Sequence, residues 1–173
     1  AVVRLAEGAV REDRERVTAA LHNTGRSVPL RCITVNLAPV DVRKEGSAFD
    51  LQIAIGALTV AEDVDPLRYD GWAFVGELSL DGRVRPVRGA AAIAEACRQA
   101  GLRGLVVPEE NAAETAAVGG LDAVGVPTMA ALLGHLDTGP QLAPVHVDTR
   151  ALLAGAPRGV GLDLAEVRGQ GAA

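Results

Sequence analysis

The stretch FDLQIAIGALTVA, residues 49–61, is apolar on nearly every face of a helix. Such a helix has no polar side to offer water, so it belongs at the centre of a domain with other elements packed around it. It is also far shorter than the apolar run a membrane span needs, and no other window of the chain approaches that length. The 173 residues suffice for one domain with a real core and a short tail. Aromatic residues make up only 2%, so the core around this helix is built from Val, Leu, Ile and Ala.

The flanking pattern is mixed. Residues 1–5 read as a short edge strand. Residues 12–24 read as a helix with Val17, Ala20 and Leu21 on one face and Gly25 as the stop. Residues 30–37 (LRCITVNL) read as a β-branched strand ended by Pro39, and 38–46 as a loop. Residues 72–80 and 83–87 read as strands about Asp81-Gly82, a dipeptide that favours a type I′ turn. Then follow a helix over 89–100, a buried strand over 104–107, a helix over 110–118, a strand over 123–126 and a helix over 128–136. Strand-helix-strand-helix order from Gly101 predicts a small parallel sheet in an α/β (α+β) two-layer domain covering 1–136. Residues 137–173 turn to Gly, Pro, Ala and scattered charge and read as a linker, in part ordered against the domain.

Several function classes can be tested directly. With 17 basic and 22 acidic residues the formal charge is −5, so any nucleic-acid contact needs a local basic patch. Cys32 and Cys97 have no metal or redox spacing and read as buried thiols. His22, His135 and His146 lie far apart, without zinc spacing, and His22 reads as a surface residue near a helix C-terminus. The sole lysine, Lys44, sits between Arg43 and Glu45, so this stretch holds no P-loop. Gly159-Val160-Gly161 reads as a linker glycine pair. The run EDRER at 12–16 reads as a solvated helix face, with a subunit contact as the alternative. No signal peptide is visible and the chain opens on AVVRL, which suggests an excised piece of a longer cytoplasmic protein.

Three stretches carry a family likeness. KEGSAFDLQIAIGAL (44–58) resembles the strand-loop-helix of Lon-like domains, GELSLDGRVRPVRG (76–89) their hairpin, and AGLRGLVVPEENAAE (100–114) the strand and helix that follow. LAEGAVREDRERVTAALHNTG (5–25) and DLAEVRGQ (163–170) complete the pattern. The chain resembles the N-terminal domain of the ComM/YifB family of magnesium-chelatase-like AAA+ ATPases, with the first strand truncated and the motor absent. The resemblance implies the Lon proteolytic-domain fold, with its left-handed βαβ crossover, hairpin and packed helices. It implies a hexameric DNA motor of the branch-migration helicase type, active in natural transformation, whose non-catalytic N-terminal domain serves ring assembly, DNA guidance or both, with a purely structural spacer as an alternative. ATP and Mg2+ would belong to the parent protein, with no cofactor or metal in this stretch and no membrane partner. By the same likeness, Val167, Gly169 and Gln170 would approach the adenine at the edge of the motor's site.

Lon-type proteolysis needs a Ser at the start of the buried helix and a Lys from the helix after the hairpin. By resemblance Ala48 and Ala91 occupy those two places, so no catalytic residue is expected. A shifted pair of Ser47 and Lys44 is the enzymatic alternative, but a solvated loop lysine keeps a high pKa and makes a poor base. Ser47 reads instead as an N-cap, with Asp50 in the first turn in the manner of a capping box. For DNA, Arg83 and Arg85 alternate along one strand, Arg88 precedes a helix, and Arg43 and Lys44 lie in the preceding loop. If loop and hairpin converge, these five make a patch for sequence-independent phosphate contact. The other reading is a solvated surface in which the arginines pair with Glu45 and Glu77.

Overall fold

The computed structural model describes residues 7–26, 47–137 and 142–148. The apolar helix is α2 (Asp50–Val60), with Leu51, Ala54, Ile55, Ala57 and Leu58 buried along it. Across it packs α1 (Glu7–His22), which buries Val17, Ala20 and Leu21. This helix begins ahead of the acidic turn at Glu12, and Gly25 ends it as expected. Gly25 has φ +75°, which frees Arg26 N–H to bond the Leu21 carbonyl at 3.2 Å while Gly25 N–H bonds His22 at 3.0 Å.

The single strand expected over 72–80 is two strands in different sheets: β1 (Trp72–Phe74) and β2 (Glu77–Leu78). The break falls at Gly76, whose N–H bonds the Ala48 carbonyl at 2.9 Å and whose carbonyl accepts Leu51 N–H at 3.1 Å. Both polar groups are spent on the start of α2, so neither serves a ladder. A Cβ at Gly76 would lie 2.7 Å from a Val84 methyl, so only glycine fits.

Beside β2 runs β3 (Val84–Arg85), antiparallel, with Leu78 opposite Val84 and Glu77 opposite Arg85. The turn between them is not type I′. Gly82 has φ +83°, but Asp81 does not share the positive φ that such a turn requires. Instead Gly82 N–H bonds the Ser79 carbonyl at 2.9 Å and Ser79 N–H bonds the Arg83 carbonyl at 3.0 Å, a type I turn closed by a bulge glycine. The Asp81 side chain explains the choice: it accepts the Ser79 hydroxyl and, at 3.2 Å, Arg83 N–H. Those bonds hold its carboxyl below the ordinary carboxylate range.

Downstream, α3 (Ala90–Gln99) leads to β4 (Gly104–Pro108), buried at every position. A 3-10 turn (Glu109–Asn111) and α4 (Ala112–Ala116) lead to β5 (Asp122–Val126), and α5 (Met129–Asp137) follows. The strands β1, β4 and β5 form one parallel sheet in the order β1-β4-β5, as the strand-helix alternation predicted. Alternation along β4 sends Val106 into a cluster with α1, α2 and α5, and Leu105 and Val107 into one with Ala94 and Cys97 of α3 and Ala112 of α4. The sheet therefore carries helices on both faces, three layers where two were expected. The fold is mixed helix and sheet, and none of the described helices is long and apolar enough to cross a membrane.

Part of the stretch read as linker lies on the domain: Leu142 packs on the first cluster and Val145 on the second. The strands expected over 1–5 and 30–37, Cys32, Arg43, Lys44, Gly159–Gly161, Val167, Gly169 and Gln170 lie outside the described residues.

Candidate functional site

Ala48 stands just before α2 and is tied to Gly76 through its carbonyl. Its methyl group packs on the cluster of Val75, Leu105, Val107, Ala94 and Cys97. Ala91 lies half-buried in the first turn of α3. Burial pushes the Cys97 thiol up, so at neutral pH it is a protonated, apolar filler rather than a nucleophile.

Ser47 does not cap α2. The cap position is Phe49, with φ −93° and ψ −5° and no side-chain cap bond. The Ser47 hydroxyl donates to the Glu77 carboxylate on β2 instead. Asp50 also departs from the capping-box expectation. It is 0% exposed and accepts Arg16 Nε at 2.7 Å, Arg16 Nη2 at 3.3 Å and Leu78 N–H at 3.1 Å. One carboxylate thus joins α1, α2 and the hairpin. The run at 12–16 predicts a solvated face, yet the Arg16 side chain is only 19% exposed. The signal for it was present: Arg16 stands one helical turn before Ala20, on the border of the buried face.

The hairpin arginines fall as their alternation predicted. Arg83, Arg85 and Arg88 are exposed, while Val84 between the first two is buried. Arg83 Nε lies 3.5 Å from Asp81 Oδ2. Among the described residues Arg85 and Arg88 have no ion-pair partner, and Glu77, opposite Arg85 in the ladder, accepts the Ser47 hydroxyl. Arg43 and Lys44 lie outside the described residues, so the convergence of loop and hairpin does too.

The backbone carrying these arginines is pinned. Asn23 Nδ2 bonds the Leu80 carbonyl at 2.7 Å, Met129 N–H bonds Gly82 at 2.9 Å and Val84 N–H bonds Pro127 at 3.0 Å. Asn111 then grips Val87 on both sides, accepting its N–H at 2.9 Å and donating to its carbonyl at 3.0 Å. Asn111 carries no signal in the sequence beyond its place in the helix expected over 110–118. It is 6% exposed, and nothing local marks a partner in sequence so far away. Leu80, at the hairpin tip, is one of three large apolar side chains left exposed among the described residues.

The histidines stay apart, and among the described residues no three His, Cys, Asp or Glu side chains meet as a metal site. An open cleft of about 610 Å³ runs along α1 past Arg14, Thr18 and His22, and one of about 440 Å³ lies between Arg103, Gly120 and His146. Neither is lined by Ala48 or Ala91.

The fold and this arrangement define a mixed helix-and-sheet domain with exposed hairpin arginines and an apolar cluster at the start of α2. Residues 1–111 match the model of a family described as subunit ChlI of Mg-chelatase. The chain belongs to that family, in its ComM/YifB group. It is 37% identical to an uncharacterized protein of Mycobacterium tuberculosis over 98% of this chain and 33% of the relative. It is 40% identical to an uncharacterized protein YifB of Escherichia coli over 69% of this chain and 23% of that protein. Identity to a protein named competence protein ComM, of Haemophilus influenzae, is 40% over 68% of this chain and 23% of the relative. The chain thus spans about a third or less of the length of these relatives.

Proposed function

We propose that this domain is a non-catalytic N-terminal module of a hexameric AAA+ DNA motor of the branch-migration type. In this reading it keeps the Lon proteolytic-domain fold, left-handed crossover included, as a scaffold without the hydrolase. It serves ring assembly, DNA guidance or both, in the cytoplasm. ATP and Mg2+ act in the rest of the longer protein, where Val167, Gly169 and Gln170 meet the nucleotide edge. The relative named competence protein ComM supports a link to natural transformation.

The observation that carries the DNA role is the row Arg83, Arg85 and Arg88, exposed on a backbone pinned by Asn23, Pro127 and Asn111. Exposed guanidinium groups carried on a held backbone suit phosphates, which carry no sequence information. The full-length protein should bind branched duplex DNA with an affinity that falls as salt rises. Each phosphate contact contributes a slope of about −0.9 in log K against log salt, so Arg83→Ala with Arg85→Ala should flatten that slope by about 2 units. Fluorescence anisotropy across a salt series measures it, and an unchanged slope removes these residues from the interface.

A cryptic Ser47 peptidase is disfavoured by the bond from its hydroxyl to Glu77, which fixes the oxygen beside a carboxylate rather than an amine. Incubated with a fluorophosphonate probe, the 173-residue chain should show no labelling at Ser47 by intact mass. A stoichiometric adduct there would restore the enzymatic reading.

A further inference from the structure

Four contacts at Leu142 and Val145 hold residues 142–148 on the domain. The side chains of Leu142 and Val145 pack on the two apolar clusters, which lie on opposite faces of the sheet. The segment therefore crosses over the edge beside β5. Leu142 N–H donates to His135 Nδ1 of α5 at 2.9 Å, and Val145 N–H donates to the Ala123 carbonyl of β5 at 2.8 Å. No residue of the segment is fully buried, and none belongs to a helix or strand. The attachment is specific but small beside the core it touches, which places it at the low-stability end of the molecule.

We propose that residues 142–148 are a releasable latch, held on the β5 edge by His135 and the Ala123 carbonyl, that sets the length of the tether leading out of the domain. Docked, the segment fixes the point from which the following residues depart. Released, the chain from Asp137 to Asp148 extends at about 3.3–3.6 Å per residue, a reach of roughly 35–40 Å. The chain continues past Asp148 to Ala173, so a longer tether changes where those following residues can stand. The inference does not rest on the DNA reading.

His135 is the sensitive point. Its Nδ1 must carry a lone pair to accept Leu142 N–H, so the docked ring is neutral with its proton on Nε2. Protonation of Nδ1 sets two donors face to face. Burial of the ring pushes its pKa below the ordinary 6.5, which agrees with a docked neutral form. Docking is then complete above that ordinary value and is lost as pH falls from it through the lowered one. The charged groups on the elements packed there do not replace it. Asp137 of α5 is paired with Arg26 at the end of α1, and Arg68 of the 3-10 turn Pro66–Tyr69 donates to the Leu136 and Asp137 carbonyls. Within the segment, His146 and Asp148 are exposed.

Nuclear magnetic resonance of the 173-residue chain tests the latch. At pH 8, His135 should be the Nε2–H tautomer, with the Leu142 and Val145 amides protected from hydrogen exchange. On acidification to pH 5, both amide signals should shift in step with the His135 ring. Their exchange, corrected for the intrinsic pH effect, should rise at least tenfold relative to Val106 and Val124. His135→Asn, whose side-chain oxygen stays an acceptor at both pH values, should keep the protection and lose the pH response. His135→Leu should lose the protection at Leu142 throughout. Unprotected Leu142 and Val145 at pH 8, or amides indifferent to the His135 titration, would overturn the latch. Val106 and Val124 signals report whether each variant is folded, and the wild-type titration decides the matter if a variant is not.

Discussion

Replacing Asp50 by Ala should lower the unfolding free energy by about 3–5 kcal/mol, the range for removing one partner of a buried ion pair. The substitution takes from Arg16, only 19% exposed, the buried carboxylate that accepts its Nε and Nη2. It also leaves the Leu78 N–H in the core without its acceptor. Because α1, α2 and the hairpin meet at this one carboxylate, the loss should appear as a shift of the whole cooperative transition. Urea denaturation followed by the single tryptophan, Trp72, measures it. Arg16→Met should be less damaging when combined with Asp50→Leu than when made alone. The double change removes both charges together, and buried pairs replaced by apolar residues are often near neutral. A loss under about 1 kcal/mol for Asp50→Ala would mean that the pair is solvated in solution, as exposed pairs of that worth are.

Asn111→Ala should cost about 2–3 kcal/mol, since it strips a partner from both polar groups of Val87. The effect reaches beyond stability. Val87 lies between Arg85 and Arg88, so the pinned row loosens and hydrogen exchange at Val87 should rise with it. Asn111→Asp separates the two bonds. Its carboxylate still accepts Val87 N–H but faces the Val87 carbonyl, and protonation restores a donor. The variant should therefore be less stable at neutral pH and recover part of the loss as pH falls through the carboxyl range. Equal stability of Asn111→Asp and wild type at pH 7 would show that the amide donor is unimportant.

Much of this was readable in the one-dimensional pattern. The apolar run at 49–61 dictated α2, and Gly25 stopped α1 because it alone takes the left-handed conformation without strain. The buried run at 104–107 became β4, and the order of elements announced a parallel sheet. The exposure of Arg83 and Arg85 about a buried Val84 followed from the two-residue period of a strand. The site was less legible where side chains choose distant partners. Ser47 and Asp50 have the spacing of a capping box, and the rule is local. Glu77 and Arg16, which actually engage them, arrive through tertiary packing.

The amino-acid order alone fixed which segments are apolar, where helices stop and which surface is basic, because those depend on each residue and its near neighbours. Only the folded chain decided that Gly76 splits a strand, that Asn111 clamps Val87 and that Asp50 gathers three elements. Each of those turns on a buried polar group that must find a partner, and the partner is supplied by whichever backbone the packing brings within about 3 Å.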